Sequence, residues 1–288
     1  MKMVHLTPKE RVLTCIRHEK TDRIPRGELL VEEAFLDRLY SERRDAPYME
    51  KMRQLIEDAE LDLVTVTIGE EDDARDLGKW VNETPCFVMG LVDGLFWSPK
   101  DPLSFEEFVM GIYRGESPVR ELIKGKKERT IRLIKMCLDE GVHGMIIGDD
   151  LAFNGGPFVS PKDLSAWIIP GLQEIVEVIK TSNRVAFLHS CGNLTGILDL
   201  IISAGFHGLH GLAPSAGNEP LQIRRMTSKR LVLMGMVDVD GLKPLEIKNM
   251  RSEVLGHLAE GGGYILGSSG GLSMNTPLDS FRALYLCN

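Results

Sequence analysis

The chain has 288 residues, of which 43% are hydrophobic and 26% are charged, and its formal net charge at pH 7 is −8. A chain of this length and composition can bury a large core, as one large domain or as two small ones. Its negative charge argues against nucleic acid or an anionic membrane surface as a partner. Five scattered cysteines, no signal-peptide pattern and no apolar run near eighteen residues predict a protein of the reducing cytoplasm that lies outside the membrane.

Residues 1–22 predict an N-terminal helical segment. Thr7 can cap a helix that begins at Pro8, and Glu10 completes a capping box. We expect this helix to end near His18, because a turn-forming segment follows it.

Two strands and two charged helices are predicted next. The apolar run at 27–31 predicts a first strand, and Glu28 at its beginning can reach a central site. A solvated or salt-bridged carboxylate is the more common role for such a residue. Helical spacing over 32–44 and 48–59 precedes the β-branched run 61–67, which predicts the second strand.

Glycine, asparagine and proline interrupt short alternating segments over residues 69–98. This pattern predicts a β-hairpin excursion that contains one barrel strand near residue 87. Two helices are expected after it, over 104–113 and 118–140, because apolar residues recur there at helical spacing.

Beyond residue 141, strands and helices alternate regularly, and polar residues follow each strand. This order is typical of parallel βα units and predicts an α/β fold, a single (β/α)8 TIM-like barrel over residues 1–288. In such barrels the catalytic residues lie at the carboxyl ends of the strands. A doubly wound open sheet is the alternative, but no glycine-rich dinucleotide fingerprint follows any strand. The predicted strands lie near residues 28, 62, 87, 145, 186, 209, 232 and 264.

One of these strands brings two metal-ligand side chains to its carboxyl end. The apolar run 185–188 leads directly into His189 and Cys191, and Gly192 then breaks the strand. Residues two apart on a strand point to the same face, and imidazole and thiolate are donors that Zn²⁺ prefers. Core packing with a single hydrogen bond is the competing interpretation of such a pair.

Several segments resemble the uroporphyrinogen decarboxylase superfamily. Residues 7–13 followed by 18–25 are similar to the opening of its members. The resemblance spans nearly the whole chain in the expected order, and it implies a TIM-like barrel. Further similar segments are 148–151, 154–157, 160–161, 189–193, 235–238 and 263–266.

This superfamily contains cofactor-free decarboxylation of uroporphyrinogen and zinc-dependent methyl transfer that involves a corrinoid protein. The decarboxylases carry an arginine-rich loop after the first strand, whereas this chain has Glu28, Glu32 and Glu33 there, which disfavours a polycarboxylate substrate. His189 and Cys191 are similar to the zinc-binding His-x-Cys of the methyltransferases. The resemblance therefore favours the methyltransferase branch, with Zn²⁺ and a corrinoid carried by a partner protein as cofactors.

The chain departs from that branch in the loop after the last strand. The resembling coenzyme M methyltransferases supply a third zinc ligand there, a cysteine, whereas this chain has Ser268 and Ser269. A serine hydroxyl is a poor zinc ligand. Glu28, Asp150, His210 or another rim residue must complete the shell, or the site is weak or absent.

The predicted site follows from these comparisons of residues. Asp149 and Asp150 are either both substrate-binding or ligand residues, or one of them merely caps the next loop. His210 is either a rim residue or a structural histidine. Asn193 is expected first as a helix cap. The predicted metal ligands are His189 and Cys191, the predicted catalytic residues are Asp149, Asp150 and His210, and the predicted substrate-binding residues are Glu28, Asn154, Asn193, Ser268 and Ser269.

The predicted function is methyl transfer between a corrinoid protein and a small thiol or methoxy-type substrate. The chain has no Asp-x-His-x-x-Gly cobalamin-binding pattern, so the corrinoid must come with a partner that docks over the rim. A decarboxylase of a tetrapyrrole and a non-catalytic binding barrel are the two alternatives. The oligomeric state is open, with a homodimer as one candidate assembly.

Overall fold

Strands and helices alternate along the chain in the computed structural model, which describes residues 5–286. The ten strands among these residues are β1 Gly27–Glu28, β2 Leu63–Thr67, β3 Phe87–Asp93, β4 Gly144–Gly148, β5 Ala152–Phe153, β6 Gly156–Pro157, β7 Val185–Ser190, β8 Gly208–Gly211, β9 Val232–Val237 and β10 Tyr264–Ser268. The α-helices are α1 Pro8–Ile16, α2 Glu33–Leu39, α3 Tyr48–Ala59, α4 Glu71–Glu83, α5 Phe105–Arg114, α6 Ser117–Asp139, α7 Pro161–Trp167, α8 Ile169–Thr181, α9 Leu198–Ser203, α10 Pro220–Thr227, α11 Pro244–Met250, α12 Gly256–Ala259 and α13 Leu278–Tyr285. Short 3₁₀ turns lie at Ser41–Arg43, Thr195–Ile197 and Pro214–Ala216, and a π-helical turn at Arg251–Leu255 joins α11 to α12.

Eight of the strands form one parallel sheet in the order β1-β2-β3-β4-β7-β8-β9-β10. The sheet closes where Arg26 pairs with Leu266, and the amide of Leu266 donates to the carbonyl of Pro25 at 2.8 Å. The predicted (β/α)8 TIM barrel is therefore confirmed. The structure also confirms that a strand lies close to each of the eight predicted positions.

The N-terminal helix forms as its capping pattern predicts, although residues 1–4 of the predicted segment 1–22 lie outside the described part. The Thr7 hydroxyl accepts from the Glu10 amide, and the Glu10 carboxylate accepts from the Thr7 amide at 2.9 Å. The helix ends at Ile16, two residues before the predicted end, because His18 adopts a left-handed backbone with φ of 56°.

The predicted β-hairpin excursion over 69–98 is wrong. Helix α4 occupies 71–83, and Ala74, Leu77 and Trp80 bury their side chains on its inner face at helical spacing. Tertiary packing thus outweighs the glycine and asparagine that interrupt this segment. A short antiparallel hairpin does exist, but strands β5 and β6 form it after β4.

The barrel interior is apolar at its amino-terminal end. Phe87, Ile146, Phe187 and Met234 belong to a buried cluster contributed by the inward faces of the strands. Helix α1 adds Val12 and Cys15 to the same cluster. The helix therefore plugs the amino-terminal end of the barrel, and polar chemistry is confined to the opposite end.

A buried ion-pair network fixes this plug. The Asp62 carboxylate is fully buried and accepts from Arg11 Nη1 at 2.5 Å, from Arg23 Nη1 at 2.6 Å and from the Arg26 amide at 2.9 Å. Arg11 also donates to Asp22. Among residues 5–286, no helix combines the length and the apolar character that crossing a bilayer requires.

We expect Asp62→Ala to lower the free energy of unfolding by about 3 to 5 kcal/mol, because it removes the buried carboxylate to which both Arg11 and Arg23 donate. Urea unfolding followed by circular dichroism measures this loss. Asp199→Ala is the control, since the exposed ion pair of Asp199 with Arg230 should contribute at most about 1 kcal/mol. Equal stability losses in the two variants would contradict the assignment.

A candidate metal centre at the carboxyl ends of the strands

Strand β7 places His189 and Cys191 at the mouth of the barrel. Phe187 points into the interior cluster, so the strand period of two sets His189 above it. Ser190 points the opposite way and is buried, where its hydroxyl accepts from the Leu151 amide at 3.0 Å. Cys191 follows directly, and its Sγ lies 3.6 Å from Nε2 of His189. The predicted convergence of imidazole and thiol is present in the structure.

The loop after Cys191 is held by packing against the β5–β6 hairpin. Gly192 has φ of 80°, and a Cβ there would collide with the backbone of Ala152, so only glycine fits. The Asn193 amide donates to the carbonyl of Phe153 at 2.9 Å. Buried Asn218 adds two further bonds, from its side chain to the Gly192 carbonyl at 2.8 Å and from the Leu194 amide at 3.1 Å.

Asp150 is the third side chain at this position. Its Oδ1 lies 3.8 Å from His189 Nε2 and accepts from the Cys191 amide at 2.8 Å. One ligand atom each from Asp150, His189 and Cys191 lie within 4.8 Å of one another. Among residues 5–286, these three form the only such group of histidine, cysteine or carboxylate side chains.

The two separations around His189 fit a tetrahedral zinc ion, and the third pair of donors, Asp150 and Cys191, lies within 4.8 Å. Zinc bonds of about 2.0–2.1 Å to nitrogen and oxygen and about 2.3 Å to sulfur place neighbouring ligand atoms about 3.4–3.6 Å apart. The separations of 3.6 Å and 3.8 Å around His189 Nε2 are close to these values. Three protein donors leave a fourth position, which is the pattern of catalytic rather than structural zinc sites.

The protonation states of the donors depend on their burial. Packing around Cys191 removes part of the water near its thiol and raises its pKa to about 12, although the residue is exposed at the mouth, and the negative charge of Asp150 adds to this effect. Burial lowers the pKa of His189, although Asp150 opposes the shift. His189 is thus neutral at pH 7 and suited to bind a metal, whereas Cys191 must lose a proton when a metal binds.

His210 lies behind His189 and does not reach the mouth of the barrel. Its side chain is fully buried, with Nδ1 2.8 Å from Nδ1 of His189 and Nε2 3.1 Å from the carbonyl of Ser268. Burial, together with the neighbouring His189, lowers the pKa of His210 well below its usual value. His210 is therefore neutral at pH 7.

Glu28 and Ser268 bind each other away from the three donors. The Ser268 hydroxyl donates to Glu28 at 2.5 Å, and the Ser268 amide donates to it at 3.1 Å. The Tyr285 hydroxyl also donates to Glu28. The Gly271 amide donates to the Ser268 hydroxyl oxygen at 2.8 Å. Both side chains are buried and satisfied, so neither completes the metal shell.

Asp149 holds a loop rather than facing the mouth. Its buried carboxylate accepts from the amides of Leu95 at 3.0 Å and Phe96 at 2.6 Å. A Cβ on Gly94 would collide with this carboxylate, so glycine is needed there. Of the two interpretations of the aspartate pair, Asp149 fits the loop cap and Asp150 fits the site.

The other predicted substrate-binding residues have local partners. Asn193 caps the turn that follows it, because its Oδ1 accepts from the Thr195 amide at 3.1 Å. Ser269 donates from its hydroxyl to Asp238. Asn154 is exposed in the turn between β5 and β6.

Sequence reasoning missed the hairpin and Asn218. Phe153 on the hairpin is 53% exposed at the mouth and stacks on Phe158, with 5.5 Å between the ring centroids. The adjacent glycines Gly155 and Gly156, which follow Asn154, are the sequence pattern that indicates the turn between β5 and β6. Asn218 gave only a weak signal, as a polar residue after Gly217.

Comparison with known proteins assigns the family. Residues 103–287 match the sequence profile of the uroporphyrinogen decarboxylase (URO-D) family. The chain belongs to this family. Among curated proteins, no sequence match was found.

Solved structures with this fold include several enzymes. A methyltransferase from Methanosarcina mazei is similar with a TM-score of 0.77 and 19% identity, over 97% of each chain. A 3-keto-D-glucoside 4-epimerase from E. coli has a TM-score of 0.58 and 12% identity, over 92% of this chain and 99% of the other. A B12-independent methionine synthase from Shewanella sp. W3-18-1 has a TM-score of 0.57 and 12% identity, over 85% and 88%. At these identities the similarities establish the barrel fold of this URO-D family member.

The buried Glu28 should give the protein a pH-dependent stability. Burial raises the pKa of Glu28 from 4.5 to about 7. The folded state therefore binds a proton more tightly than the unfolded state. The stability from this proton is complete below about pH 4.5 and is lost as the pH rises through about 7. The loss amounts to about 3 kcal/mol at most.

We expect Glu28→Gln to remove this slope, so that its stability relative to wild type is higher at pH 8 than at pH 5. Urea unfolding at both pH values measures the two differences. Subtracting wild type removes the contribution of Asp149, whose pKa burial also raises, to about 6. Glu42→Gln, at an exposed site, is the control. A pH-independent difference for Glu28→Gln would refute the assignment.

Proposed function

We propose that this URO-D family member is a zinc-dependent methyltransferase that moves a methyl group between a corrinoid protein and a small thiol or methoxy-type substrate. The observation that carries the proposal is the open three-donor set of Asp150, His189 and Cys191 at the catalytic end of the barrel. Buried structural histidines and cysteines do not require a third, exposed acidic donor beside them. We also infer one barrel domain over 1–288 and a cytoplasmic location.

The three donors fit Zn²⁺ in charge as well as in spacing. One thiolate and one carboxylate offset the two charges of the ion, and neutral His189 adds a strong nitrogen donor. When bound, Zn²⁺ would supply a Lewis acid that lowers the pKa of a thiol or polarises the oxygen of a methyl ether.

Hydrogen bonds within the protein hold the proposed zinc ligands in place. Asp150 is tied to the Cys191 amide, which holds the carboxylate and the thiol on the same side of His189. Asn218 and the β5–β6 hairpin fix the loop that carries Cys191. Cys191 and Asp150 are exposed, so a substrate can approach the fourth position from the barrel mouth.

The corrinoid partner belongs to the same proposal. The similarity to a protein described as a methyltransferase supports methyl transfer. The chain carries no cobalamin-binding pattern of its own, so a corrinoid protein must dock over the exposed mouth. The small substrate would lie between that partner and the three donors.

Decarboxylation of a tetrapyrrole is the second candidate, because the matching family profile carries that description. The negative charge of Glu28 does not disfavour a polycarboxylate substrate, because this carboxylate is buried and bonded to Ser268, away from the mouth. Glu32 and Glu33 are likewise engaged, with the Met274 amide and with Lys51. Turnover of uroporphyrinogen to coproporphyrinogen would establish this candidate in place of methyl transfer.

Metal content is the first test of the proposal. We expect about one zinc per chain in wild type and none in His189→Ala or Cys191→Ser. Asp150→Asn should weaken zinc binding by more than about 100-fold, the most that loss of an outer-shell partner usually costs. Inductively coupled plasma mass spectrometry and zinc titration measure both quantities.

His207→Asn is the control for these variants. His207 accepts from the Ala186 amide at 3.0 Å, far from the three donors, so its loss should leave zinc content unchanged. Wild type that takes up no zinc under reducing conditions would remove the proposal.

Activity gives the second test. With a methylated corrinoid protein and a small thiol, we expect wild type to transfer the methyl group and Cys191→Ala to lose the transfer. Absorbance of the corrinoid and mass spectrometry of the thiol measure the reaction. Full methyl transfer by Cys191→Ala would show that the cysteine does not take part.

A further inference from the structure

We infer that His210 is a positioning residue that fixes the tautomer of His189 and so presents the Nε2 lone pair of His189 to the metal position. The inference deepens the proposed function and rests on it. The observation is a continuous chain of hydrogen bonds from Ser268 through His210 to His189. A catalytic role for His210, as the sequence predicts, would not require this series of hydrogen bonds.

The direction of each hydrogen bond follows from one fixed end. A carbonyl oxygen only accepts, so Nε2 of His210 must carry the hydrogen that reaches Ser268 O at 3.1 Å. A neutral imidazole has one ring hydrogen, so Nδ1 of His210 is an acceptor. Nδ1 of His189, 2.8 Å away, must then donate. The remaining nitrogen of His189, Nε2, is left with a lone pair.

That lone pair faces the other two donors. Nε2 of His189 is the atom that lies 3.6 Å from Cys191 Sγ and 3.8 Å from Asp150 Oδ1. The opposite tautomer would direct an N–H at this position and could not bind a metal. Free histidine in water favours that opposite tautomer, so the protein must impose the useful one.

The carbonyl at the far end of the chain is itself held in place. The Ser269 amide, which shares a peptide group with the Ser268 carbonyl, donates to the Val237 carbonyl at 2.9 Å. The amide and hydroxyl of Ser268 both donate to Glu28, which holds the residue itself. Gly235 makes room for the contact, because a Cβ there would lie 2.7 Å from Ser268 O and 3.2 Å from His210 Nε2. The serine that replaces the expected cysteine thus helps to orient the metal ligand from behind.

A histidine pair that merely satisfies its own polar atoms is the competing explanation. Both explanations predict a loss of stability when His210 is replaced. They differ in whether the ring hydrogen of His189 and its metal affinity depend on an acceptor at position 210. Orientation of metal-ligating histidines by outer-shell acceptors usually contributes about 10–100-fold in affinity.

Nitrogen NMR of the metal-free protein tests the inference directly. Long-range ¹H–¹⁵N correlation spectra of ¹⁵N-histidine-labelled protein report which ring nitrogen carries the hydrogen. We expect His189 of wild type to carry it on Nδ1 and His189 of His210→Leu to shift towards Nε2. His210→Asn supplies an amide oxygen in place of the acceptor and should restore the Nδ1–H form. His207→Asn is the matched control and should leave His189 unchanged.

Zinc titration of the same proteins gives the second readout. We expect His210→Leu to bind zinc about 10–100-fold more weakly than wild type and His210→Asn to recover most of the affinity. Recovery by asparagine separates positioning from bulk packing, because asparagine fills the site less well than leucine.

The outcomes separate this inference from the proposed function. Wild-type His189 with its hydrogen on Nε2 would overturn the inference without any variant, even if His210→Leu fails to fold. Unchanged tautomer and unchanged affinity in His210→Leu would overturn it as well. The expected tautomers in a protein that binds no zinc would uphold the hydrogen-bond assignment and refute the proposed function instead.

Discussion

The register of strand β7 in the parallel sheet is the constraint on which the whole site depends. His189 pairs with Gly148 of β4 on one side and with His210 of β8 on the other. The first pairing brings Asp150, two residues beyond Gly148, beside the imidazole, and the second sets His210 behind it. A slip of one residue would turn every one of these side chains to the opposite face. One set of backbone hydrogen bonds therefore assembles the donors and their support together.

The two ends of the barrel divide stability from chemistry. At the amino-terminal end, helix α1 closes an apolar interior and the buried Asp62 network fastens it. At the carboxyl end, buried polar groups such as Asp149 are used to hold loops. Each buried carboxylate at that end has hydrogen-bond donors, which offset the cost of burying it. Two of the three candidate metal donors, Asp150 and Cys191, are instead exposed.

The replacement of the expected cysteine by serine changes how the site is built. Ser268 turns its hydroxyl to Glu28 and its carbonyl to His210, so it contributes through hydrogen bonds rather than as a ligand. Asp150, two residues after the end of strand β4, brings an acidic side chain to the candidate site instead. A carboxylate carries the same charge as a thiolate but is a harder ligand, so the proposed zinc site would keep its charge and become less sulfur-rich.

The sequence by itself determined the barrel, the N-terminal cap and the His189–Cys191 pair. These features depend on short-range patterns: apolar runs that end in polar residues, a capping box, and alternation along one strand. The hairpin predicted over 69–98 failed because the packing of Leu77 and Trp80 outweighs local helix-breaking residues. Only the tertiary structure shows that Asp150, rather than Asp149, Glu28 or His210, lies beside the ligand atoms of both His189 and Cys191. That placement depends on strand register and burial between segments far apart in the chain, which no local pattern records.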